Sequence, residues 1–133
     1  MVSPAAICKA LDHPFFCILD ADGELFGSTP HSKALGSILE MDMSKISKDV
    51  DYFGKRAVIW GAKIGPAVAA DFKEDWDKVH SETCKSIGVS EGKAAKNPLL
   101  INLTLNTLAR EAKFSASLDK AMGCILSYGA SLR

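Results

Sequence analysis

The chain has 133 residues, enough for about one domain with a folded radius of gyration of about 14 Å. Sixteen basic and sixteen acidic residues cancel, which argues against a generally basic nucleic-acid binder and against an acidic disordered tail. Hydrophobic residues make up 47% and charged residues 24%, an ordinary globular balance with apolar runs too short to span a bilayer. The opening Met-Val-Ser-Pro-Ala-Ala-Ile-Cys-Lys has no basic start followed by a long apolar stretch, so a cytoplasmic protein without nucleic-acid or membrane partners is expected.

Prolines punctuate the chain. Ser3-Pro4, Thr29-Pro30, Gly65-Pro66 and Asn97-Pro98 each follow a residue common at helix N-caps. Proline suits the first helical turn because its missing N–H would have had no partner there. Residues 15–27 read either as helix or as a hairpin turning at Asp22-Gly23. After Pro30, Ala34, Leu35, Ile38 and Leu39 form an apolar stripe. Residues 48–64 fit a further helix, weakened by about 1 kcal/mol at each of Gly54 and Gly61. After Pro66, Val68, Phe72, Trp76, Val79, Thr83 and Ile87 recur at helical spacing up to a stop at Gly88. The stretch 88–97, rich in Gly, Ser, Lys and Ala, is the expected mobile connection.

Beyond Pro98, Ile101, Leu105, Leu108 and Ala112 line one helical face, although residues 99–105 alternate well enough for a strand. Ser115 can cap a last helix carrying Leu118, Met122, Ile125 and Leu126 and ending near Gly129. If both ambiguous stretches are strands the fold is α+β. The proline starts and long stripes favour an all-α fold. No internal repeat or linker is present, so residues 1–133 are expected to form a single domain.

Cys8, Cys17, Cys84 and Cys124 lie too far apart for a metal finger and read as reduced, mostly buried thiols. Residues 1–44 hold two basic and six acidic residues, whereas residues 93–133 hold six basic and two acidic. This split could assist self-association as a homodimer, but a solvated surface is the preferred explanation.

Two longer stretches carry a resemblance. Leu105-Asn-Thr-Leu-Ala-Arg-Glu-Ala-Lys-Phe-Ser-Ala-Ser-Leu-Asp-Lys-Ala-Met-Gly-Cys-Ile-Leu126 resembles the last two globin helices and their Phe-Ser corner. Tyr52-Phe53-Gly54-Lys55-Arg56-Ala57-Val58 resembles the distal-helix run of the same family. With Ile18-Leu-Asp-Ala-Asp-Gly-Glu-Leu-Phe-Gly27 and Ala34-Leu35-Gly36-Ser37, the chain looks most like the shortened nerve globins with a reduced first helix.

That resemblance implies an all-α globin-like helical sandwich holding one haem and reversibly binding oxygen or another diatomic gas, without catalysis. Only His13, His31 and His80 could offer an imidazole to iron. The resemblance puts the proximal ligand at His80, one turn after Trp76, and the ring packed on the porphyrin at Phe26. The distal position falls at Phe53 or Tyr52, with Ala57 and Val58 walling the pocket and Lys55, Arg56 or Lys85 near the propionates. Phenylalanine departs from the family there, since it donates no hydrogen bond to bound oxygen.

Two rival readings stand beside it. Leu19-Asp20-Ala21-Asp22-Gly23-Glu24-Leu25 with Ser28 resembles the first motif of haloacid-dehalogenase-type phosphatases. That implies Asp20 as nucleophile, Asp22 as general acid/base, and magnesium. Glu24 replaces the usual threonine or valine, and no later lysine or Gly-Asp pair follows convincingly. Alternatively, residues 10–39 open a small α+β sensor or profilin-like interaction module, which requires a strand at 99–105.

Overall fold

The computed structural model describes residues 2–94 and 97–133. In chain order the elements are α1 (Val2–Ala10), β1 (Cys17–Asp20), α2 (Pro30–Ile38), a 3-10 turn (Met43–Lys45), β2 (Tyr52–Phe53) and β3 (Ala57–Trp60). There follow α3 (Ile64–Phe72), α4 (Glu74–Ile87), α5 (Glu91–Ala94), α6 (Pro98–Arg110) and α7 (Ala116–Ala130).

The strands form one sheet in the order β1-β3-β2. β3 pairs in parallel with β1, Cys17 opposite Ala57 and Asp20 opposite Trp60. It pairs antiparallel with β2, Tyr52 opposite Ile59. The all-α, globin-like expectation is therefore corrected to α+β, with 57% helix and 8% strand.

The correction has a local cause. The apolar run Ala57-Val-Ile-Trp60 is buried at all four positions, which suits a strand with a neighbour on either edge. Its backbone polar groups are met by β1 and β2, so 48–64 is a hairpin region rather than a helix. The close approach at Gly61 reinforces this: a Cβ there would lie 2.5 Å from Asp49 C and Val50 N.

In 15–27 only the first arm of the expected hairpin is a strand. Asp22 and Gly23 turn through positive φ (53° and 77°). Their N–H groups donate to Ala62 and Gly61 carbonyls at 3.2 and 3.0 Å, so the chain keeps following the segment after β3. Residues 99–105 are helical, within α6, which removes the strand required by the sensor or profilin-like reading.

Several expected helix ends are found. Thr29 and Ser32 form a capping box at α2, with Pro30 in its first turn. Asn97 Oδ1 accepts from Leu99 N–H at 3.0 Å to start α6. Gly88, left-handed, ends α4. Ser115 Oγ accepts from Leu118 N–H at 3.2 Å at the start of α7. The long stripe from Val68 to Ile87 is broken, however: Lys73 at φ 54° separates α3 from α4. Of the connection at 88–97, residues 95 and 96 lie outside the described residues.

The chain divides into two compact units, Met1–Ala67 with Lys120–Arg133, and Val68–Asp119. The first has a core of Ala5, Cys17, Leu35, Leu39 and Ala57, edged by Phe15, Leu19, Phe26, Ile38 and Met41. Burial pushes the Cys17 thiol above its ordinary range, and Cys8 adds to the shift. In the second, α4 packs on α6 around Cys84 and Leu100, with Val89 against them. Among the described residues no helix is long and apolar enough to cross a membrane.

Candidate ligand-binding site

The residues assigned to haem by the globin resemblance do not occupy the helical frame it implies. Ala57 sits on β3 with 0% of its surface exposed, inside the core of the first unit, and lines neither of the two cavities described below. Phe53, on β2, lies edge-on to Trp60 with centroids 6.2 Å apart. Phe26 packs at the margin of the same core.

Trp76 and His80 belong to the second unit, on α4. Phe72, Trp76 and His80 form a stacked ladder, the last two 5.7 Å apart and inclined by 14°. The Thr104 hydroxyl donates its single hydrogen to Leu100 C=O at 2.8 Å. Its oxygen therefore accepts from His80 Nδ1 at 3.1 Å. In the neutral ring this leaves the lone pair on Nε2, the form a metal ligand would need. Yet His80 lines neither of the two cavities described below. Within the first unit, the strand positions of Phe53 and Ala57 and the closed packing of Ala57 do not fit the helical distal wall that the resemblance implies for a haem.

The phosphatase pair does share a cleft. Asp20 ends β1, and Asp20, Asp22, Glu24, Ser28 and His31 border a cavity of about 430 Å³ that also includes Phe26. Their carboxylates have structural work. Asp20 Oδ1 accepts from Ile64 N–H at 2.9 Å, holding the start of α3. Asp22 faces Lys63 at 3.9 Å. Among the described residues no group of three or more His, Cys, Asp or Glu is placed to hold a metal ion. The arrangement resembles a tied polar turn more than a magnesium-dependent nucleophile site.

A larger cleft, about 1040 Å³, opens on the other side of the strand order. It lies wholly within the first unit. The turn after α2 contributes Leu39, Glu40 and Met41; the β2–β3 hairpin contributes Tyr52, Phe53, Lys55 and Arg56; α7 contributes Lys120, Gly123, Cys124 and Tyr128. Gly54 N–H donates to Ala57 C=O at 2.9 Å and closes the hairpin that presents Lys55 and Arg56. On α7, the Tyr128 hydroxyl accepts from Phe15 N–H at 2.9 Å, and its ring leans on Phe16 at 5.7 Å. That contact fixes the α7 wall against the segment leading into β1.

Aromatic and basic groups meet in this cleft. Lys120 Nζ stands 5.7 Å from the Phe53 ring centre and Arg56 lies 5.6 Å from that of Phe15, both within cation–π range. Arg56 also pairs with Glu40 at 3.4 Å.

Tyr52, Phe53, Lys55 and Arg56, expected as a distal run with propionate partners, are thus brought to one cleft, on a hairpin instead of a helix. Met41, Lys120, Gly123 and Tyr128 were not singled out as site residues by sequence, and Cys124, read there only as a reduced thiol, is half-buried on the cleft wall. The signal on α7 was available: Lys120, Cys124, Ser127 and Ser131 recur at helical spacing on a face distinct from that of Ala121, the buried residue of that helix. Comparison with protein-family models, with curated proteins and with solved structures finds no match.

Proposed function

We propose that this chain is a non-catalytic binding protein for a small organic ligand, held in the wide cleft between the β2–β3 hairpin and α7. The observation that carries the reading is the cleft itself. Its volume of about 1040 Å³ is of the size that small-molecule sites have, and it brings Met41, Tyr52, Phe53, Cys124 and Tyr128 together with charged side chains from the hairpin, the turn after α2 and α7. The four cysteines stand free, which favours a reducing, cytoplasmic setting.

The test uses N-phenyl-1-naphthylamine, a neutral dye that fluoresces in apolar surroundings. One dye should bind per chain. Gly123→Trp should abolish binding, because the indole is introduced on the cleft wall while a Cβ at Gly123 meets nothing within 4 Å. Its far-ultraviolet circular dichroism should match that of the unsubstituted chain. Unaltered dye affinity in this variant would defeat the reading.

A further inference from the structure

The charges around the wide cleft narrow the ligand class, on the reading that the cleft binds a small molecule. Its two carboxylates are already engaged. Glu40 meets Lys9 at 3.2 Å and Arg56 at 3.4 Å, and Asp42 meets Lys45 at 3.5 Å. The Ser44 side chain and N–H both donate to Asp42 and hold its carboxyl below the usual range, so it stays charged and paired. Lys55 and Lys120, by contrast, meet no carboxylate within ion-pair distance among the described residues. The cleft therefore offers unneutralised positive charge beside aromatic faces.

Arg56 does not add to that free charge, since it pairs with Glu40. Its Nε is buried and has no hydrogen-bond partner among the described residues. A buried donor without an acceptor is unfavourable and calls for an explanation. Closed off from solvent, that Nε is not offered to the cleft, and the Arg56 charge is already paired with Glu40, so the anion site rests on the two lysines.

We propose that the cleft selects a planar aromatic ligand bearing an anionic group such as a carboxylate, sulfonate or phosphate. The ring lies against Phe53 and Tyr128, and the anion is held by Lys55 and Lys120. Charge-assisted hydrogen bonds give such a group its advantage over a neutral ring of the same shape.

The experiment compares two dyes on the full chain: 1-anilinonaphthalene-8-sulfonate, and N-phenyl-1-naphthylamine, the same ring system without the sulfonate. The sulfonate should bind one per chain and about tenfold more tightly, a ratio worth about 1.4 kcal/mol. That ratio should shrink as salt is raised. The double variant Lys55→Gln, Lys120→Gln should bring it close to one, through a loss of sulfonate affinity much larger than any change in the neutral dye's. Equal affinities, or a ratio that survives both salt and the double variant, would overturn the anion assignment and leave the cleft reading standing. Failure of both dyes to bind the native chain would remove the cleft reading as well. A single-stranded oligonucleotide that displaces the sulfonate at one per chain would assign the cleft to nucleic acid and likewise overturn the proposal.

Discussion

Gly61 shows how one missing side chain decides local structure. Its neighbours at 2.5 Å from a built Cβ are backbone atoms of Asp49 and Val50, which cannot rotate away as a side-chain tip can. Gly61→Ala should therefore lower stability by about 2 kcal/mol or more, read as a fall in the urea midpoint. Gly129→Ala is the control. Its Cβ would meet nothing within 4 Å, and it lies within α7, so the change should be neutral or stabilising by less than about 1 kcal/mol. An equal loss in both would remove the steric account. In the sequence, Gly61 reads as a weak point of a helix, because the Asp49–Val50 backbone pressed against it is invisible there. The caps at Thr29 and Asn97 were legible, since a cap is an interaction between residues two or three positions apart.

At the scale of elements, α4 and α6 are joined by apolar contact and by one polar relay. Thr104 is 0% exposed and links Leu100 C=O to His80 Nδ1. Thr104→Val keeps the shape and leaves the His80 N–H without its acceptor. The expected loss is about 1–2 kcal/mol in denaturant unfolding. Adding His80→Ala should reduce the cost of Thr104→Val, the coupling expected of groups in direct contact. Strict additivity would show that the relay contributes nothing. The α4 stripe was legible, although it could not show that Lys73 breaks the α3–α4 run; in α6 the expected face of Ile101, Leu105, Leu108 and Ala112 shares only Leu108 with the buried residues Leu100, Thr104 and Leu108. The hairpin was misread at this same scale. Ala57-Val-Ile-Trp60 is too short a run for periodicity to separate a buried strand from a piece of buried helix. Its flanking glycines and β-branched pair were the available clue.

For the molecule as a whole, the question is which of the sequence-suggested centres can act. His80 lines neither cavity, and its ring is committed to Trp76 on one face and Thr104 at Nδ1. Substituting His80→Ala should leave the neutral dye's affinity unchanged. Haemin added to the two proteins should give the same visible spectrum. A sharp Soret band that moves with carbon monoxide and is lost in His80→Ala would restore the iron-binding reading. The candidate cleft was partly legible: Tyr52, Phe53, Lys55 and Arg56 stood out as one run. Their α7 partners did not, because their joint role depends on a helix more than sixty residues later in the chain lying against that hairpin.

The amino-acid order alone determined most helix starts and stops, the absence of a long apolar span and the division into a proline-punctuated series of helices. These rest on neighbours within a turn or two, where backbone sterics and capping bonds act. Only the tertiary structure decided that 57–60 is a central strand and that the distal-like run faces α7. A strand's backbone is satisfied by partners distant in sequence, here Cys17–Asp20 and Tyr52–Phe53, and no local pattern records which distant segment will supply them.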